Sequence, residues 1–217
     1  MVMELYGHPF SSYTWKAQIA LHAIGAEYAF REVGADHPDN AAFVQAAHPA
    51  GKFPVLRDGE RTVIEATAIV EYLAASHPDG GTLIPADPLA ATTVRMIDRV
   101  FDNYVMASMQ RVVNAYLADA ENPDPAEIAA GKAALQRTYH WLENWLSSHQ
   151  LPQHVSLVSC AAAPSLFYAD WVERIPEDCP RLAALRAELL ALPAVSRCVE
   201  AARPYRAFFP LGAPDRD

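Results

Sequence analysis

Two adjacent hydroxyl groups near the start of the chain lie where a helix is expected to begin. Ser11 and Ser12 follow a short alternating segment, and the helical spacing of apolar residues starts at Tyr13. A helix N-terminus carries about half a positive charge and several free N–H groups, so hydroxyl groups there can help to hold an anion. Serine is also a preferred N-cap residue, and the sequence leaves both roles open.

A proline marks the second candidate position. Pro54 stands between Phe53 and Val55 in a segment that otherwise has a strand pattern. The missing N–H of a proline is costly inside a strand unless the residue lies at a strand start or a sheet edge. Two interpretations remain at this point: an ordinary edge-strand proline, or a cis peptide bond that serves a specific geometry.

The third position combines a carboxylate with another helix start. Glu65 is expected to end a strand and Ala66 to open the next helix. Such a site suits a zwitterionic amino-acid group, because the carboxylate takes the ammonium while the helix N–H groups take the carboxylate. The alternative is that Glu65 only compensates the helix dipole.

The elements that must position these residues fall into two groups. Strand and helix patterns alternate through the first part of the chain and include an Asp58-Gly59 hairpin signal, whereas the later part is almost entirely helical. The order predicts an α/β domain over residues 1–80, a linker over 81–88 and an all-α domain over 89–217. The predicted strands are Met3–Tyr6, Tyr28–Val33, Phe53–Leu56 and Thr62–Ile64. The predicted helices are Tyr13–Ile24, Asp39–Ala47, Glu65–Ser76, Leu89–Leu117, Pro125–Ser148, Ser156–Val172, Pro180–Leu192 and Ala194–Ala202.

Composition excludes several classes of function. The chain has 217 residues, 52% of them hydrophobic, and a net charge of −9 without any Lys/Arg run, which argues against nucleic-acid binding. It has no uninterrupted apolar run long enough for a membrane span and no N-terminal leader pattern. Its three cysteines, Cys160, Cys179 and Cys198, are widely spaced, so we expect a cytoplasmic protein without disulfides. No His or Cys spacing indicates a metal site.

Four ordered motifs together resemble the soluble glutathione transferase family. They are Leu5–Pro9 followed by Ser11-Ser12, Gly51–Leu56 around Pro54, Glu65–Leu73, and Ser156–Cys160 leading into Asp170. The resemblance extends to about Arg206. The members that the chain resembles most are bacterial, of serine type and somewhat zeta-like. The resemblance implies a thioredoxin-like domain followed by a helical bundle, glutathione as co-substrate without a metal, a homodimer, and a role in detoxification. Dithiol exchange is excluded because Ser11 to Thr14 contains no cysteine pair.

The resemblance also implies roles for individual residues. Ser11, or else Ser12, would donate a hydrogen bond to the glutathione sulfur. Phe53, next to a cis Pro54, would pair its backbone with the cysteinyl residue. The end groups would be held by Lys52 at the glycyl carboxylate and by Glu65 and the Ala66 N–H at the γ-glutamyl group.

The electrophile is expected between the two domains, against the first long helix of the bundle. The candidate lining residues, each of which could equally be ordinary core, are Phe10, Tyr13, Tyr104, Met106, Gln110 and Tyr116. Asp98 and Asp102 share a helical face and could either reach the ligand's ammonium or be solvated.

Departures from the family pattern leave the activity open. Most relatives have serine where this chain has Ala66, and the lost hydroxyl is expected to weaken glutathione binding about tenfold. The leading hypothesis is a transferase that activates glutathione as a thiolate for attack on small electrophiles. A zeta-like isomerase of maleylacetoacetate type is the second, although Tyr13 stands where that class has cysteine. A non-catalytic binding or scaffold protein is the third.

Overall fold

A four-stranded mixed sheet forms the first part of the chain in the computed structural model, which describes residues 2–217. Its strands are β1 (Met3–Gly7), β2 (Tyr28–Glu32), β3 (Val55–Asp58) and β4 (Arg61–Ile64). The strand order is β2-β1-β3-β4, with β1 parallel to β2 and with antiparallel pairing of β1 to β3 and of β3 to β4. Gly59, with a φ of 60°, turns the chain between β3 and β4, as the Asp-Gly pair predicted.

Three helices pack on this sheet. α1 (Ser12–Ala23) follows β1, α2 (Pro38–Ala47) connects β2 to β3, and α3 (Ala66–Ser76) follows β4. This order of strands and helices confirms the predicted thioredoxin-like domain, with helix and strand ends within one or two residues of the expected positions.

The rest of the described chain is helical, as predicted, and shares a core with the sheet domain. Trp15 of α1 packs on Phe167 at a ring-centroid distance of 4.9 Å, so one hydrophobic core runs through both parts. The helix that carries Phe167 is buried along its whole length. The division of the chain into a first domain (residues 1–80), a linker (81–88) and a second domain (89–217) remains a proposal. The helices are α4 (Pro88–Val100), α5 (Ala107–Ala118), α6 (Pro125–Leu146), α7 (Leu157–Val172), α8 (Pro180–Ala191) and α9 (Pro193–Ala202), with short 3₁₀ segments at Gly80–Thr82 and Arg203–Phe208.

The predicted helix Leu89–Leu117 is interrupted by a π-helical turn. The turn covers Phe101–Met106, between α4 and α5, and the Ala107 N–H donates to the Asp102 carbonyl five residues earlier. One additional residue in a helical turn rotates everything after it by about 100° relative to a regular α-helix. The side chains of α5 therefore face other directions than the sequence periodicity predicted.

Among residues 2–217, no helix combines the length and the apolar character needed to cross a bilayer.

Candidate active site at one edge of the sheet

The strand register brings the three candidate segments to the same edge of the sheet. Tyr6 near the end of β1 pairs with Val55 at the start of β3, and Val55 pairs with Ile64 at the end of β4. The residues that follow β1, precede β3 and follow β4 are therefore neighbours. The two serines, the proline loop and the acidic turn meet there because the pairing is antiparallel on both sides of β3.

Ser11 is the N-cap of α1. Its backbone is extended (φ −93°, ψ 123°) and its hydroxyl oxygen accepts the Thr14 N–H at 3.3 Å. Because this bond uses only the oxygen's acceptor capacity, the hydroxyl hydrogen stays available to donate to a bound group. Ser12 is the first residue of the helix, and both serines are half-buried. The capping role and the donor role of Ser11 are thus compatible.

The Phe53–Pro54 peptide bond is cis. Pro54 lies just before β3, which is an inner strand of the sheet, so the edge-strand interpretation is wrong. The backbone N–H and C=O of Phe53 make no hydrogen bond to any other residue among 2–217. A free donor and acceptor on one residue can pair with an extended peptide in the manner of an added strand.

Glu65 adopts an unusual backbone conformation at the start of α3. Its φ is 70° and its ψ is 120°, and it is the only non-glycine residue with positive φ in the described chain. Its side chain is 72% exposed and lies 3.2 Å from His48 Nε2. His48 Nδ1 accepts the Ala50 N–H at 3.0 Å, so the ring proton is on Nε2 and points at the Glu65 carboxylate. Ala66 then opens the helix, which leaves free N–H groups beside that carboxylate.

Three contiguous cavities surround these groups. The smallest, here called the loop cavity, has about 230 Å³ and is bordered by the proline loop and the acidic turn. The serine cavity has about 280 Å³ and contains both serines. An outer cavity of about 930 Å³ opens to the solvent. Tyr13 borders all three, so they form one cleft. The loop cavity is lined by Tyr13, His48, Lys52, Phe53, Pro54, Glu65, Ala66, Arg99, Asp102 and Asn103.

A buried ion cluster lies under the loop cavity. Lys16 of α1 is 1% exposed, and its Nζ lies 2.5 Å from Asp98 Oδ1 and 2.7 Å from Asp102 Oδ2. The same ammonium donates to Thr67 Oγ1 at 2.7 Å. Arg99 closes the cluster from the cavity side through bonds to both aspartates. Burial raises the pKa of Asp102, and the Lys16 charge opposes that rise. Neither aspartate is solvated, which removes one of the two sequence interpretations.

Tyr13 stays protonated at neutral pH. Burial, reinforced by the Asp102 carboxylate, raises the pKa of its phenol to about 12. The phenol can therefore shape the cleft or donate a hydrogen bond, but it does not supply a negative charge or a base.

A family model described as "Glutathione S-transferase, N-terminal domain" matches residues 5–81, which include every one of these segments. This match identifies residues 5–81 as a glutathione S-transferase N-terminal domain. Glutathione S-transferase F13 of Arabidopsis thaliana is 29% identical over 133 residues, which cover 58% of this chain and 60% of that protein. A probable maleylacetoacetate isomerase of Caenorhabditis elegans is 31% identical over 93 residues, or 43% of each chain. The matched segments thus span 60% and 43% of these two relatives' own lengths.

Longer matches and solved structures agree with the fold. The maleylacetoacetate isomerase of Mus musculus is 24% identical over 193 residues, which cover 87% of this chain and 88% of that one. The crystal structure of glutathione transferase F7 from Populus trichocarpa superposes with a TM-score of 0.77 at 24% identity, covering 92% of this chain and 99% of that one. The crystal structure of a glutathione S-transferase from Methylobacillus flagellatus with GSH bound superposes with a TM-score of 0.77 at 22% identity, covering 90% of this chain and 98% of that one.

Within this transferase fold, the serine cavity has a different lining from the one predicted. Phe10, Tyr13 and Gln110 border it, but the structure places the three other candidates elsewhere. Tyr104 is 58% exposed, Met106 is 2% exposed in the core, and Tyr116 packs half-buried against that core. Tyr104 and Met106 lie within the π-helical turn and Tyr116 follows it, so all three point in other directions than a regular α-helix would give them. The residues that sequence reasoning missed are Met109, Val113, Leu117, Tyr168, Phe208, Phe209 and Pro210.

The missed residues had a partial signal in the sequence. Met109, Val113 and Leu117 are four residues apart and form an apolar stripe, which would have been found if the helix phase had been restarted after the turn. Tyr168 is held by a hydrogen bond from its hydroxyl to the Phe10 carbonyl at 2.9 Å. That contact joins residues 158 positions apart and has no local signal.

Proposed function

We propose that this chain is a glutathione transferase that activates glutathione as a thiolate for attack on small electrophiles. The observation that carries the proposal is the meeting of three unusual features around one cleft: a cis Phe53–Pro54 bond, a positive-φ Glu65, and an N-cap Ser11 with a free hydroxyl hydrogen. Each feature fits one part of a tripeptide thiol.

The bound tripeptide would occupy the loop cavity and reach the serine cavity with its sulfur. Glu65 and the Ala66 N–H take the zwitterionic γ-glutamyl group, and Lys52 takes the glycyl carboxylate. The free backbone N–H and C=O of Phe53 pair with the cysteinyl residue. The sulfur then faces Ser11, while Ser12 remains the alternative donor.

The thiol is activated by stabilisation of its charged form. A cysteine-type thiol has a pKa of about 8.5, so only a few per cent is ionised at neutral pH. A hydrogen bond to a charged group contributes about 1.5–3 kcal/mol. The helix N-terminus adds about 0.3–1 kcal/mol. The sum lowers the thiol pKa by about 1.5–3 units at 1.36 kcal/mol per unit.

The chemical step needs no protein nucleophile. The thiol proton leaves to solvent, and the thiolate electron pair forms a carbon–sulfur bond while the electrophile's leaving group or π bond takes up the displaced electrons. The electrophile would lie in the serine cavity, whose Met109, Val113 and Phe209 favour an apolar body. Proximity in the cleft supplies much of the remaining acceleration.

A glutathione-dependent isomerase is the second candidate. It is favoured by the mouse relative, named a maleylacetoacetate isomerase, which matches along 88% of its length. In that case the thiolate adds to a conjugated double bond and is eliminated after rotation, so glutathione is recovered unchanged. Product analysis separates the two candidates: a transferase consumes glutathione in proportion to turnover and an isomerase does not.

Two further properties belong to this proposal. A homodimer is supported by exposed apolar side chains on α4, where Leu89 and Met96 lie seven residues apart on one face. Cytoplasmic location is supported by three free cysteines that are all buried. Light scattering of the purified protein tests the dimer.

Ultraviolet titration of the bound thiol tests the central proposal. We expect a bound pKa about 1.5–3 units below that of free glutathione. Ser11→Gly removes the hydroxyl but costs only a few tenths of a kcal/mol in helix capping, and it should raise the bound pKa by about 1–2 units. Ser12→Ala is the matched control and should leave the bound pKa unchanged.

Three other outcomes of this titration would change or contradict the proposal. An effect confined to Ser12→Ala would move the donor role to Ser12. Saturable binding with an unshifted thiol pKa would contradict thiolate activation. No saturable binding at millimolar glutathione would leave the scaffold interpretation.

A further inference from the structure

We propose that Arg99, on α4 of the helical part, binds the α-carboxylate of the γ-glutamyl group in place of the serine hydroxyl that position 66 lacks. This inference rests on the proposed function and assigns a residue of the second half of the chain to glutathione recognition.

The Arg99 guanidinium lies at the loop cavity, next to the start of α3. Arg99 borders the loop cavity together with Glu65 and Ala66. Its Nη2 donates to Thr67 Oγ1, the hydroxyl of the residue directly after Ala66. The guanidinium therefore lies beside the first turn of α3, where the helix N–H groups are free to meet a carboxylate.

Arg99 keeps hydrogen-bond donors that its protein partners do not use. Nε bonds to Asp98, and Nη2 bonds to Asp98, Asp102 and Thr67. Nη1 donates to no other residue in the part of the chain that the structure describes, and the side chain is 48% exposed. A guanidinium presents five N–H donors, so at least the two on Nη1 remain for a ligand.

The buried cluster gives this guanidinium a fixed orientation. Asp98 and Asp102 hold one side of it, and both are held in turn by Lys16. Two positive and two negative side chains balance, so an incoming carboxylate meets no net negative charge from the cluster. We interpret Lys16, Asp98 and Asp102 as positioning residues that aim Arg99 along the first turn of α3.

The arrangement changes the expectation for Ala66. A serine hydroxyl there would give one hydrogen bond to the carboxylate, whereas a guanidinium adds a positive charge and can give two parallel hydrogen bonds from its planar fork. Arg99 thus offsets the roughly tenfold loss of affinity expected from the missing hydroxyl alone.

The test compares protein variants against ligand variants. Kd is measured by calorimetry for glutathione and for γ-aminobutyryl-cysteinylglycine, which lacks only the α-carboxylate. Arg99→Met should weaken glutathione binding by about 10- to 100-fold and should leave the affinity for the analogue within about twofold. The matched control is Arg95→Met, one turn earlier on α4, where the exposed arginine pairs with Glu71 outside the cavity. It should change neither Kd.

A rescue variant covers the possibility that Arg99→Met perturbs the fold. Ala66→Ser should recover several-fold of the lost glutathione affinity in the Arg99→Met background but gain less in the wild type, because the two groups compete for one carboxylate. Arg99→Lys keeps the positive charge but lacks the planar guanidinium. Its affinity for glutathione should lie between those of the wild type and Arg99→Met, and its affinity for the analogue should be unchanged.

The inference is overturned if Arg99→Met weakens both ligands equally, which would indicate a structural role, or if it behaves like Arg95→Met. A wild-type protein that does not bind glutathione at all would instead contradict the proposed function, so the two failures are distinguishable.

Discussion

The strained backbone at Glu65 predicts an inversion of the usual order of glycine and alanine variants. At an ordinary position, glycine is about 0.5–1 kcal/mol less stable than alanine because the unfolded chain is more flexible. Glu65 has a φ of 70° and a ψ of 120°, a conformation that costs a residue with a Cβ about 1–3 kcal/mol. Glu65→Ala keeps that cost and Glu65→Gly removes it. The glycine variant should therefore be more stable than the alanine variant by about 1 kcal/mol.

Urea unfolding measures this difference. Both variants lose the same carboxylate and its contact with His48 Nε2, so these losses cancel in the comparison. Glu60→Gly and Glu60→Ala provide the control, because Glu60 is exposed in the turn before β4 and has no positive φ; there alanine should be the more stable. A Glu65→Gly protein less stable than Glu65→Ala by the ordinary amount of about 0.5–1 kcal/mol would refute the reasoning.

Three further predictions concern the interior of the cleft. Lys16→Met leaves the carboxylates of Asp98 and Asp102 buried with less compensation and should lower the free energy of unfolding by about 3–5 kcal/mol at neutral pH. The folded pKa of Asp102 is raised, so its protonated form favours the fold at low pH and that contribution is lost as pH rises through the folded pKa. Lys16→Met removes the charge that opposes this rise, so the pKa of Asp102 rises further in the variant and the variant's deficit, measured by urea unfolding, should shrink as pH falls from neutral; a growing deficit would contradict the assignment. Tyr13→Phe should leave the titration of bound glutathione unchanged between about pH 5 and pH 9, since Ser11 is the proposed donor to the sulfur and a phenol with a pKa of about 12 does not ionise in this range; a shifted curve would indicate that the phenol donates to the thiolate. Val113→Phe should raise KM for a bulky electrophile about tenfold without changing Kd for glutathione; equal losses in both would place the residue outside the electrophile's cavity.

The sequence was most informative where structure is decided locally. The Asp58-Gly59 turn, the Ser11 cap and the helix start at Ala66 are each determined by residues within one turn, and each was predicted within a residue or two. Their meeting at one edge followed only from the family resemblance, because strand pairing such as Tyr6 with Val55 joins distant segments.

The sequence was least informative where a partner lies far along the chain. Lys16 falls within a helix that was predicted from its apolar residues, and nothing around it indicates that it is 1% exposed. Its partners Asp98 and Asp102 follow more than eighty residues later, where they form an i, i+4 pair typical of a solvated face. A buried charge is tolerated only when it is paired, so the burial and the pairing had to be found together.

The π-helical turn connects the misplaced electrophile residues to the unexpected cluster. Asp102 lies inside the turn and faces Lys16 and the loop cavity, whereas Met109 and Val113 follow it and face the serine cavity. In a regular α-helix, Met109 and Val113 would be rotated by about 100° from their present direction relative to Asp102. These residues could then not line the two cavities together. Such turns often occur at functional sites. The additional residue between α4 and α5 therefore lets α4, the turn and α5 present a charged face to the loop cavity and an apolar face to the serine cavity, a division that suits the tripeptide thiol and the apolar electrophile of the proposed function.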